Sequence, residues 1–177
     1  MPEFLLSPFP SDILHHNLTI SGAISRCDRI LSLHYELTGN LEQLAIPPLV
    51  NQPNRKRELW QETCFEFFLK PHNSSQYWEF NLSPSGHWNI YHFQDYREGM
   101  KEEIKFMILP FLIREENNRV SLNIELNLDA IASPDRVLEV AISTVIKFKN
   151  GDLAYYALTH PQKQADFHHQ DSFVIQL

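Results

Sequence analysis

The sequence predicts an all-β protein, an antiparallel β-sandwich with only minor helix, and three observations carry that prediction. Apolar residues alternate with polar ones over several stretches, the period of a strand with one face on a core. Turn-forming clusters separate these stretches at short intervals, as in sandwiches and barrels. The composition, with 12 Phe, 6 Tyr, 3 Trp and 11 Pro against 5 Gly, favours strands with punctuated edges.

Taken in order, Leu18 to Ile24 reads as a first strand and Ile30 to Leu37 as a second, with Leu31, Leu33, Tyr35 and Leu37 inward. From Thr38 to Glu58 the pattern dissolves around Pro47, Pro48 and Pro53, a connection long enough to be a candidate binding loop. Thr63 to Leu69, Tyr77 to Leu82 and Trp88 to Phe93 form an aromatic meander, joined by Pro71-His72-Asn73-Ser74-Ser75 and Ser83-Pro84-Ser85-Gly86. Tyr96 to Lys105 reads as a short helix or irregular connection, and Ile104 to Ile113 as a further strand.

The clearest alternation follows. Val120, Leu122, Ile124, Leu126 and Leu128 interleave with Ser121, Asn123, Glu125 and Asn127. One helical turn is expected between Leu128 and Asp135, stopped by Pro134. Leu138 to Phe148 has apolar residues on both faces and so reads as a covered strand. It ends at Lys149-Asn150-Gly151-Asp152, where Asn-Gly suits a tight primed turn, and Leu153 to Leu158 should run back beside it. Phe173 to Leu177 brings the count to about nine or ten strands, and 177 residues fit one domain, 1–177.

Charge narrows the function. A formal net charge of −7 argues against nucleic acid, whose phosphates are neutralised by Lys and Arg. Arg55-Lys56-Arg57 reads as a solvated loop. The 2 cysteines, Cys27 and Cys64, make neither a disulfide framework nor a metal motif, and Cys64 falls in an apolar strand. Met1 to Asp12 has no basic residue and is broken by prolines, and no later apolar run reaches bilayer length, so the expectation is a soluble, cytoplasmic protein with no membrane partner.

Three segments hold the polar and aromatic residues that could bind something. In Leu59 to Leu69, Trp60, Glu62, Cys64, Glu66 and Phe68 share one side of a regular strand and Phe65, Phe67 and Leu69 the other. Glu66 is then either an exposed edge residue or a buried acid needing a cation, donors or a ligand hydroxyl. In Tyr77 to Trp88, Tyr77, Glu79 and Asn81 alternate with Trp78, Phe80 and Leu82, which offers polar groups beside rings as sugar sites do. Trp78 and Trp88 can equally be core. In Tyr155 to His169, the residues His160, Asp166, His168 and His169 are either turn formers or candidate ligands of a divalent metal. No Gly-rich phosphate loop, nucleophile elbow or other catalytic constellation is present, so no catalytic residue is assigned.

LWQETCFEFFL (Leu59 to Leu69), YWEFNLSPSGHWNIYHF (Tyr77 to Phe93) with DYREGM (Asp95 to Met100), and YYALTHPQKQADFHH (Tyr155 to His169) resemble, in that order, DOMON-like proteins related to family 9 carbohydrate-binding modules. The match runs from about Trp60 to the C-terminus. The resemblance implies a DOMON-like, jelly-roll-like sandwich whose relatives bind sugars or haem. It implies a sugar end clamped between two tryptophans, with Trp60 as the first and Glu66 as the acid that follows it. No tryptophan matches the second; Tyr156, His160 and Phe167 are the rings on offer.

The leading expectation is therefore a non-catalytic domain for a mono- or oligosaccharide or related polyol. Trp60 stacks, Glu66 and Asn81 hydrogen-bond, and Arg97, Tyr156, His160 and Phe167 complete the site. A haem-binding electron carrier would draw axial ligands from Met100 or Met107 with His160 or His168. A metal-dependent enzyme would use the His160, Asp166, His168 and His169 group. A domain that only docks on another protein is the remaining class.

Overall fold

The computed structural model describes residues 2–11 and 17–177; Met1 and Asp12, the ends of the stretch read for a leader, lie outside the described residues. Two antiparallel sheets face one another. The first contains β1 (Glu3–Leu5), β3 (Leu18–Cys27), β4 (Ile30–Gly39), β10 (Arg119–Asn127) and β9 (Phe111–Glu116), in the spatial order β1-β3-β4-β10-β9. The second contains β2 (Ser7–Pro8), β12 (Leu153–Ala157), β11 (Leu138–Lys147), β5 (Cys64–Pro71), β6 (Tyr77–Leu82), β7 (Trp88–Phe93) and β8 (Lys101–Glu102), in that spatial order. β13 (Ile175–Gln176) pairs with Glu139 and Val140 of β11, beyond the stretch that β12 occupies. Among the described residues helix is confined to short 3-10 turns such as Leu41–Gln43, Leu59–Gln61 and Gln170–Ser172. Among the described residues no helix is long and apolar enough to cross a membrane.

The period-two pattern sets the faces. On β10, Val120, Leu122, Ile124 and Leu126 are buried while Asn123, Glu125 and Asn127 are exposed. On β5 and β6, Phe65, Phe67, Leu69, Trp78, Phe80 and Leu82 enter the layer between the sheets, where Phe67 stacks on Phe80 at 4.3 Å between centroids. Trp78 and Trp88 belong to this core. The Tyr35 hydroxyl on β4 crosses the layer and donates to the Glu66 carbonyl on β5 at 2.6 Å. A buried phenol without such a partner would be costly, so this bond fixes one sheet against the other.

Several local expectations need correction. Residues 104–110 are not strand: the chain crosses here between the sheets, and Ile104, Met107 and Ile108 point outward. The Arg55 guanidinium holds this crossing by donating to the carbonyls of Glu103 and Phe106 and to Asn89 Oδ1, at 2.9, 2.6 and 2.7 Å. It also lies 4.3 Å over the Trp88 ring. Arg55 is thus a structural pin and not part of a solvated run. The β11–β12 turn has three residues, Lys149 to Gly151. Phe148 and Asp152 close it, and Gly151 alone has a positive φ, +96°. Strands β1 and β2 come from an N-terminal segment that the periodicity did not mark, because each is too short for a pattern to show.

Candidate functional site

The second sheet is buried on its outer face as well, and this is where chemistry collects. Ser143 (β11), Glu66 (β5), Asn81 (β6) and Asn89 (β7) stand in register as a polar row across four strands. Ala141, Phe68, Glu79 and Tyr91 form the row beside it. Three connections cover these rows. The turn Leu59–Gln61 brings Trp60, the turn around Asp95–Glu98 brings Arg97, and the chain after β12 brings Phe167 and His168. Between them lies a cleft of about 460 Å³, lined among others by Trp60, Glu66, Glu79, Tyr155, Phe167 and His168.

The floor holds two carboxylates in unusual surroundings. Glu66 is 2% exposed; its Oε2 accepts from the Ser143 hydroxyl at 3.2 Å and its Oε1 has no hydrogen-bond partner. Glu79 is 5% exposed and its Oε1 accepts from Asn81 Nδ2 at 2.8 Å. They are diagonal neighbours across β5 and β6, a relation that spans roughly 7–8 Å between backbones and lets long side chains interact. Burial, with the Glu79 charge beside it, drives the Glu66 carboxyl well above the usual range. Burial also raises Glu79 to about 7, although the Asn81 amide and the Arg97 charge pull the other way.

His168 sits against this pair, ringed by Phe68, Tyr77 and Phe93 at 5.2, 5.8 and 5.1 Å between centroids. The Arg97 backbone N–H donates to the Tyr77 hydroxyl oxygen at 3.1 Å, which leaves the Tyr77 proton to go to His168 Nδ1 at 2.9 Å. The neutral ring then carries its proton on Nε2, which faces Glu79 Oε2 at 3.8 Å. Burial first, and the Arg97 charge second, lower His168 to about 4. Burial pushes Tyr77 up to about 12. Arg97 itself has φ +54°, a left-handed backbone that a non-glycine residue adopts at a cost of order 1 kcal/mol.

Of the residues expected from sequence, Trp60, Glu66, Arg97 and Phe167 line the cleft. Asn81 lies beneath it, fully buried, and holds Glu79. Tyr156 points the opposite way, into the core between the sheets, because strand neighbours alternate; Tyr155 faces the cleft instead. His160 is elsewhere, bonded through Nε2 to the Ser7 carbonyl at 2.8 Å and packed against Phe9. Glu79 and Tyr155 escaped the sequence reading as site residues. The alternation of Tyr77, Glu79 and Asn81 next to Glu66 was the signal for the first. The long connection from Thr38 contributes little to the cleft before Trp60; its last part runs along β7, where Lys56 N–H donates to the Trp88 carbonyl.

The expected metal group does not assemble. Asp166 is taken by Tyr96, Arg97 and the His168 N–H, His169 Nδ1 accepts from the Asp171 N–H, and His160 lies apart. Among the described residues no group of three or more His, Cys, Asp or Glu is placed to hold a metal ion. Of the expected haem ligands, Met100 and His168 both line the cleft, Met107 is 84% exposed and His160 lies apart; an iron at His168 would have to displace either the Tyr77 hydroxyl or the approach to Glu79.

No protein-family model matches the chain, and no curated protein matches it. Solved structures similar in fold include the following two. A proposed carbohydrate-binding protein from Bacteroides uniformis aligns with a TM-score of 0.69 at 14% identity, over 98% of this chain and 84% of that one. A family 9 carbohydrate-binding module from Caldicellulosiruptor kristjanssonii, in complex with cellotriose, aligns with a TM-score of 0.52 at 10% identity, over 92% of this chain and 74% of that one. The likeness is one of fold, and it is the all-β sandwich that the sequence resemblance implied.

Proposed function

Starting from a sandwich shared with carbohydrate-binding modules, we propose that this chain is a non-catalytic binding domain for a mono- or short oligosaccharide. The observation that carries the proposal is the cleft itself. Rings of Trp60, Tyr155 and Phe167 line it above a floor of buried carboxylates, one oxygen of which has no partner. Clefts of roughly 300–1,000 Å³ suit small ligands, and about 460 Å³ falls within that range. Sugar C–H faces pack on aromatic rings, and the equatorial hydroxyls meet acceptors in the ring plane.

In this reading Trp60 is one aromatic wall, and Phe167 with Tyr155, whose rings lie 6.1 Å apart, replaces the second tryptophan. Glu66 and Glu79 accept hydroxyl protons, and Arg97 donates at the rim. A Soret band on adding haem would instead favour the electron carrier. Isothermal titration with glucose, cellobiose and cellotriose tests the saccharide reading. It stands if one of them binds and Trp60→Ala weakens that binding at least about ten-fold, or 1.4 kcal/mol, while the far-ultraviolet spectrum is unchanged. It fails if none binds at millimolar concentration, or if Trp60→Ala binds as the wild type does.

A further inference from the structure

We infer that the cleft selects a saccharide bearing a primary amine, its ammonium group seated between Glu66 and Glu79. The inference rests on the saccharide reading above and adds the class of sugar. Two acids on one dry floor are an expensive arrangement unless something positive joins them. Among the described residues lining the cleft, Arg97 is the one permanent cation, and its Nη2 is committed to Asp166 Oδ1 at 2.8 Å. His168 is neutral, with Nδ1 engaged by Tyr77. Glu66 has one neutral donor, Ser143, and an Oε1 with none.

A hydroxyl would give such a pair neutral hydrogen bonds but no positive charge to offset the ionisation of either acid. An ammonium group offers three donors and a full positive charge, enough to serve both acids at once. Trp60 adds a ring at the cleft against which a cation packs well, and the sugar ring keeps its contact with the aromatic walls. Among the described residues no group of three or more His, Cys, Asp or Glu is placed to hold a metal ion, so a bare metal ion is a poorer occupant than an amine.

The electrostatics give the inference a second readout. Besides Glu66 and Glu79 themselves, the charged or titratable groups around the pair are Arg97, Asp166, His168, Tyr77 and Tyr91, with the buried Cys64 and Tyr35, both raised by burial, next to Glu66. Asp166 is held below the carboxylate range, His168 lies near about 4, and Tyr77 and Tyr91 are raised. Through the neutral range around the Glu79 value of about 7, therefore, Glu79 is the group that changes charge, while burial holds the Glu66 carboxyl well above its ordinary range. Amine preference should appear as the pH climbs through that range.

Titrations with glucose, glucosamine and n-butylamine on the wild type, Glu66→Gln and Glu79→Gln decide the matter. The expected result at pH 7.5 is glucosamine bound at least ten-fold tighter than glucose, a preference cut below about two-fold at pH 5 and in either variant. Glucose binding equal to that of glucosamine overturns the amine assignment and leaves the saccharide reading intact. Butylamine binding as tightly as glucosamine overturns it too, since the sugar ring would then contribute nothing. A preference that survives both variants removes the carboxylates from the argument, and binding by none of the sugars overturns both readings.

Discussion

Arg97 and Asp166, separated by 69 residues, meet Nη2 to Oδ1 at 2.8 Å and so join two of the three connections that roof the cleft. Asp166 also accepts from the Tyr96 hydroxyl and from the His168 N–H. Its side chain is 11% exposed against 51% for Arg97, so the bonds count more through the acid than through the cation.

Asp166→Ala should therefore cost about 1–3 kcal/mol in urea unfolding and weaken ligand binding, whereas Arg97→Lys should cost under about 1 kcal/mol. The folded pKa of Asp166 is depressed, so its contribution is present above the unfolded value, near 3.8, and fades as the pH falls through the folded one. Unfolding curves of wild type and variant should converge as the pH falls below the ordinary aspartate value, 3.8.

Glu79 has the opposite sign. Its folded pKa, about 7, lies above the ordinary 4.5, so the folded state keeps a proton that the unfolded chain has released. Stability then falls as pH rises from 4.5 to about 7, by about 3 kcal/mol for this group, and Glu66 adds a fall of its own. His168, lowered to about 4, gives a rise between about 4 and 6.5 that offsets part of the fall. Glu79→Gln should gain stability relative to the wild type as the pH is raised, which urea midpoints at pH 5 and 7.5 will measure.

Tyr155 and Tyr156 separate packing from binding. Tyr156 is 2% exposed in the core, and Tyr156→Ala should cost about 3–5 kcal/mol. Tyr155→Ala should cost under about 1.5 kcal/mol and lower saccharide affinity. Equal thermal stability of the two variants would contradict the assignment of faces.

Arg55→Ala removes the donor of the Glu103 and Phe106 carbonyls and leaves Asn89 Oδ1 with the Ile90 N–H alone. A loss of about 2–3 kcal/mol is expected, with faster amide exchange concentrated in residues 103–108. Arg55→Lys should recover only part of it, because one ammonium cannot reach three acceptors arranged for a planar guanidinium.

Alternation was enough to read β10, the central pair β5 and β6, and the faces on which Glu66 and Asn81 lie. It failed where a single residue of parity mattered: the choice of Tyr156 over Tyr155 put the right chemistry on the wrong side of the sheet. It failed again at Ile104 to Ile113, since an apolar run looks the same whether it enters a core or crosses between sheets under an arginine. The burial of Glu79 was not readable at all. A polar strand face is ordinarily wet, and only three connections distant in sequence make this one dry. His168 looked like a metal ligand because His160, Asp166 and His169 lie close to it in sequence, yet its partners in space are Tyr77 and Glu79.

The division between a strand-built floor and a loop-built rim has a practical consequence. Residues on β5, β6 and β11 are locked by pairing on both sides, so a change there disturbs the architecture. Trp60, Arg97 and Phe167 arrive on connections that can be exchanged, lengthened or randomised while the sheet beneath keeps its register. A library varied at those three arms should thus yield binders of altered taste on an unaltered chassis, with the acidic pair retained as the common anchor.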